Sequence, residues 1–140
     1  SQQTKQYDGI PFEFNLYRNT YDKYWEEAWH ISEGILLKMK KEIEDDGSQM
    51  LVIVIPKRPY DGIIKRYHLN PKDFDLKKPE EMLGAFLKKN SIGYVNIQEK
   101  VNQYEKQHII SHLFIVNDGH PTKEGHALIG KIIFDAFFNK

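Results

Sequence analysis

Met50-Leu51-Val52-Ile53-Val54-Ile55 is the stretch whose reading sets the fold class of this chain. All of its residues are apolar, β-branched side chains dominate, and Gly47-Ser48 and Pro56 bound it. A strand with one wet face alternates polar and apolar positions. A run without alternation is what a strand covered on both faces requires. Burial of that kind marks parallel sheets, whose crossover helices cover both sides. The stretch therefore predicts a parallel strand with a hydrogen-bonded neighbour on each edge, because backbone donors and acceptors cannot be left bare in an interior.

Toward the N-terminus, residues 1–7 are polar, and Phe12, Phe14 and Leu16 alternate along residues 10–17. That alternation predicts a short strand or an extended arm within residues 1–18. Asn19 and Thr20 then offer helix N-caps, with Asp22 placed for the positive helix start. Tyr24, Trp25, Ala28, Trp29, Ile35, Leu36, Met39 and Ile43 follow at steps that predict one face of a long helix ending near Asp46-Gly47. Two tryptophans one turn apart suit either a ligand platform or a core-facing aromatic stripe.

Toward the C-terminus, residues 57–78 are rich in Pro, Asp, Lys and Tyr and predict a long loop with a short helical turn. Pro79 opens a second helix with Met82, Leu83, Phe86 and Leu87 on one face and Asn90 as its C-cap. Residues 92–97 predict a second short strand, and residues 98–107 are polar and ambiguous, compatible with one or two helical turns. Residues 112–116 are apolar and short. Pro121 or Thr122 then starts a closing helix whose stripe is Leu128, Ile129, Ile132, Ile133, Ala136 and Phe137. Helix, strand, helix, strand, helix is an α/β alternation, which favours a parallel sheet flanked by helices within one unit over residues 1–140.

Twenty Lys+Arg against twenty Asp+Glu leave a net charge of zero with the six histidines neutral. Nucleic-acid binding by a basic surface and polybasic membrane anchoring gain no support from that balance. Without cysteine there is no disulfide scaffold, thiolate metal site or cysteine nucleophile. No apolar run is long enough to span a membrane as a helix.

The chemistry-bearing block is His112-Leu113-Phe114-Ile115-Val116-Asn117-Asp118-Gly119-His120-Pro121-Thr122-Lys123-Glu124-Gly125-His126. It sets a carboxylate and an imidazole two residues apart on a Gly/Pro turn directly before an apolar helix. Asp118 could orient the His120 ring and stabilise its protonated form, the support a general base needs. The same spacing also suits a loop aspartate capping the helix beside a surface histidine. A site of His112, Asp118, His120 and His126 on a metal is a third arrangement, although the six-residue step from His120 to His126 is not a one-face pair.

As a whole, N-D-G-H-P-T-x-E-G-H followed by an amphipathic helix resembles the C-terminal block of SGNH/GDSL-type hydrolases. In the same order, residues 50–56 look like that family's penultimate strand, and residues 79–97 look like the helix and last strand before its catalytic block. The resemblance runs over residues 25–138, with residues 118–126 its specific part. It implies a three-layer, flavodoxin-like parallel sheet flanked by helices, of which this chain matches the C-terminal half. It also implies Ser-His-Asp ester hydrolysis without a cofactor or metal, with His120 as base and Asp118 as its orienter. The implied substrate is a small acyl ester or an acylated carbohydrate, and frequent export among bacterial relatives implies an exported or periplasmic location. His126 matches a position often occupied in the block and is expected to pack.

This chain departs from the family in two places. Many members space acid and histidine by three residues, whereas here the gap is two, nearer a D-G-H subgroup. The family's nucleophile stands in a Gly-Asp-Ser block that does not occur here, and none of Ser1, Ser32, Ser48, Ser91 and Ser111 follows an apolar strand in the family's manner. Together with Ser1 at the start and the missing neighbours of residues 50–55, this leads to the expectation of a C-terminal portion that works with the N-terminal portion of the same protein. Lys57, Arg58, Tyr60, Arg66, Tyr67 and His68 follow the carboxyl end of a strand, where loops shape a ligand crevice or stand solvated. The main alternative is a non-catalytic SGNH-like module that binds carbohydrate or a protein partner; a purely structural α/β domain is the other.

Overall fold

A computed structural model describes residues 10–55, 61–107, 113–115 and 120–139. Among these the fold is a helix-rich α/β mixture with a two-stranded parallel sheet. Two compact units are present, Ser1–Met50 with Tyr60–Ser91 and Leu51–Pro59 with Ile92–Lys140.

In the first unit, the segment expected to be a strand or extended arm is instead a 3₁₀-helix, Phe12–Tyr17. Pro11 supplies the entering φ of −54°, and the Asn15 side chain donates to Phe12 O at 3.0 Å, closing the turn from within. Phe14 is buried against Phe74, ring centroids 5.0 Å apart. An extended backbone would give up these local bonds.

Helix α1 spans Lys23–Asp45. Its cap is Asp22, whose carboxylate accepts from Trp25 N at 3.1 Å, and not Asn19 or Thr20. Asn19 is committed elsewhere: its backbone N donates to Asp73 O at 2.9 Å and its side chain to Lys72 O at 2.5 Å. At the far end Gly47 adopts φ +76°. Gly47 N donates to Glu44 O at 2.9 Å and Ser48 N to Ile43 O at 3.1 Å, the paired bonds of a Schellman stop. Trp25, Ala28, Trp29, Leu36 and Ile43 are half-buried, but Tyr24, Ile35 and Met39 are exposed, so the covered stripe is narrower than predicted.

The loop expected over residues 57–78 contains α2, Asp61–Arg66, and a 3₁₀ turn, Pro71–Asp73. Helix α3, Lys78–Lys89, takes Pro79 in its first turn and closes on Asn90, whose side chain donates to Phe86 O at 2.8 Å. Leu87 is wholly buried, and α3 packs on the Phe12–Tyr17 turn.

In the second unit, β1 is Leu51–Val54 and β2 is Gly93–Asn96, paired parallel with Leu51 opposite Gly93 and Val54 opposite Asn96. Burial along β1 alternates: Val52 and Val54 are half-buried, Leu51 and Ile53 exposed. The expectation of a strand buried on both faces is therefore not met. The second strand neighbour it required is not found among the described residues. Helix α4, Ile97–Gln107, is longer than the one or two turns expected. Asn96 Oδ1 accepts from Glu99 N at 3.3 Å near its start, while Ile97 and Val101 are buried one turn apart. Helix α5, Lys123–Phe137, closes the unit. Leu128, Ile129, Ile132, Ile133 and Phe137 pack against Val95, Ile97, Val101 and Leu113, whereas Ala136 is exposed. Full burial of such a side chain contributes about 1.5–3 kcal/mol, a state reached by Ile97 and Val101 and only in part by the α5 stripe.

Candidate active site

His120 stands at the junction of a short antiparallel clip and the start of α5. The clip pairs Phe114 with Pro121. On one side Ile115 N donates to His120 O at 2.8 Å, and on the other Thr122 N donates to Leu113 O at 2.9 Å.

The clip continues directly into the helix cap. Thr122 Oγ1 accepts from Gly125 N at 3.2 Å, satisfying a first-turn donor. The same hydroxyl lies 3.4 Å from Leu113 O, to which it donates. His126 N donates to Thr122 O at 2.8 Å, the first regular turn. Pro121 has no N–H to offer and blocks helix from running back into the clip. The outcome is an exposed His120 on a backbone held from both flanks.

Of the predicted pair, His120 is placed and Asp118 lies outside the described residues, as do His112, Ser111 and Ser1. His126, expected to pack, is exposed. The inward stripe of α5 runs Gly125, Leu128, Ile129, Ile132, and one residue past Gly125 points off that stripe. The remaining serines lie in the first unit. Ser32 Oγ donates to Ala28 O at 2.8 Å along α1, Ser48 is exposed after the Schellman stop, and Ser91 follows α3 with φ +54°. Lys57, Arg58 and Tyr60 lie outside the described residues. Arg66 sets its guanidinium 5.7 Å from the Tyr67 ring centroid, and His68 is exposed with φ +52°.

A perturbed pair of titratable groups sits in the first unit. Lys78 Nζ donates to Arg18 O at 2.9 Å and Asn19 O at 3.0 Å, and lies 3.3 Å from the Tyr21 ring centroid. Desolvation holds this ammonium below the usual lysine range, with Asp75 pulling the other way. Burial pushes the Tyr21 phenol up, the neighbouring Trp29 side chain opposes this and Asp75 reinforces it. Tyr21 itself donates to Leu16 O. The bonds from Lys78 Nζ and the Tyr21 hydroxyl end on the backbone carbonyls of Arg18, Asn19 and Leu16, at the end of the 3₁₀-helix, so the cluster fastens that turn.

Sequence reading missed Gly125 as more than a member of the motif; the available signal was a glycine inside a helical pattern, which often marks a packing constraint. No helix among the described residues is long and apolar enough to cross a membrane. Comparison with family models, with curated proteins and with solved structures returned no match for this chain.

Proposed function

We propose that the chain carries the acid–base part of an SGNH-like serine ester hydrolase with a three-layer, flavodoxin-like sheet. The observation that supports this best is the clip: it holds an exposed histidine at a capped helix start, two residues after an aspartate. A general base needs that constraint, since ring direction and tautomer must be set before a proton moves. The parallel pairing of β1 with β2 fits the same architecture.

In the proposed reaction a serine from the N-terminal portion of the protein attacks an ester carbonyl. His120 takes the hydroxyl proton as the C–O bond forms, and Asp118 orients the imidazole. Collapse of the tetrahedral species expels the alcohol, which receives the proton from His120. Water then repeats the sequence on the acyl-serine and releases the acid. Small acyl esters and O-acetylated carbohydrates are the substrate classes.

The test is hydrolysis of short p-nitrophenyl esters and acetylated oligosaccharides by the gene product containing this chain. His120→Ala should lower kcat by about 10³-fold or more, and Asp118→Asn by about 10⁴-fold. Absence of hydrolysis across the series, with retained binding of the sugars, would favour a non-catalytic carbohydrate-binding module.

A further inference from the structure

We infer that Gly125 and Thr122 are positioning residues for His120, acting through the carbonyl of Leu113; the catalytic part of this inference rests on the function proposed above. Gly125 is buried in the first turn of α5. A Cβ built there would stand 2.1 Å from Leu113 O, 3.1 Å from Leu113 C and 3.1 Å from Pro121 Cβ. The first two are backbone atoms, so no side-chain rotation relieves the overlap.

Leu113 O is held there by two further groups. It accepts from Thr122 N at 2.9 Å and from Thr122 Oγ1 at 3.4 Å. Leu113 is only 5% exposed and belongs to the core with Val95, Ile97 and Val101. It has little room to retreat. The overlap must then be relieved on the Pro121–Thr122 side, and Pro121 is bonded to His120. Relieving it takes a displacement on the order of 1 Å, and a misplacement of that size can cost about 10²-fold in rate.

The same helix supplies its own control. Gly130 is exposed and a Cβ there meets nothing within 4 Å. Gly125→Ala and Gly130→Ala are thus the same chemical change on one helix, and only the first touches the clip.

The experiment measures ester hydrolysis by the complete gene product together with amide hydrogen exchange at Ile115 and Thr122. Their N–H groups are the two clip donors. Gly125→Ala should speed exchange at both amides at least tenfold and lower kcat about 10- to 100-fold with KM within twofold. Gly130→Ala should change neither. Thr122→Val, which removes the hydroxyl without adding bulk, should speed exchange at Ile115 and lower kcat by a smaller factor; it also serves if Gly125→Ala does not fold. Wild-type exchange in Gly125→Ala, or in Thr122→Val where the glycine variant cannot be made, overturns the inference. So does fast exchange with wild-type kcat in a protein whose activity needs His120. If His120→Ala hydrolyses as well as wild type, the hydrolase proposal fails, and the catalytic half of the inference fails with it; the exchange rates still decide whether the two residues hold the clip.

Discussion

Asn15 is shut from solvent, donating to Phe12 O at 3.0 Å and accepting from Arg18 Nε at 2.7 Å. Asn15→Ala deletes both bonds from a buried position, so it should destabilise by about 1–3 kcal/mol in urea titration. A loss below half a kcal/mol would mean that the amide does not hold the turn. Asp135 supplies a case where pH reads the pairing. Lys131 donates to its Oδ2 at 2.6 Å and holds the carboxyl below the ordinary aspartate value. A depressed acid contributes stability above its unfolded value, lost as pH falls through the folded one. Lys131→Met should therefore move the Asp135 carboxyl titration upward by NMR, and the variant's deficit in stability should vanish once pH falls below the aspartate range. An unmoved titration would show that the pair does not act in solution.

At the scale of elements, termini were the most legible. The Gly47 stop, the Asn90 cap and the Thr122 start follow from residue type, because capping needs only groups within a few positions. Gly47→Ala should cost about 1–2 kcal/mol by thermal unfolding, since a side chain at φ +76° is strained although space is open. A variant as stable as wild type would show that the left-handed stop is not required. The 3₁₀-helix Phe12–Tyr17 was illegible for the opposite reason. Phe12, Phe14 and Leu16 alternate as in a strand, and what decides the turn is Phe14 meeting Phe74, far along the chain. Helix α4 was underread because Ile97, Val101 and Tyr104 are its few apolar positions amid Gln, Glu and Lys. Those three sit at one-face spacing, and burial of Ile97 and Val101 supplies the stability that propensity lacks.

At the scale of the molecule, zero net charge and a sequence pI near 7.0 predict lowest colloidal solubility at neutral pH. Polyethylene glycol precipitation of the chain across pH 5–9 should show that minimum, and a monotonic curve would contradict it. Each unit has its own wholly buried leucine or isoleucine, Leu87 in the first and Ile97 in the second. Truncation of either to alanine should cost about 2–5 kcal/mol by denaturant unfolding. A loss under 1 kcal/mol would mean that the site collapses around the change. The alternation of helices and strands along the chain gave the mixed α/β class, and residues 50–55 determined by themselves that a strand forms, because β-branched apolar runs have few other uses. They did not determine how it is covered: the Leu51 and Ile53 side of β1 is exposed, which a strand reads only from its neighbours. The block around His120 likewise announced its chemistry by residue type, and the helix start by Pro121 and Thr122. That the histidine's backbone is clamped was decided by tertiary structure alone. Ile115 N holds the His120 carbonyl, and the Leu113 carbonyl, nine residues before Thr122, holds the next residue but one; the fit of that carbonyl against Gly125 is a matter of distances that no local pattern encodes.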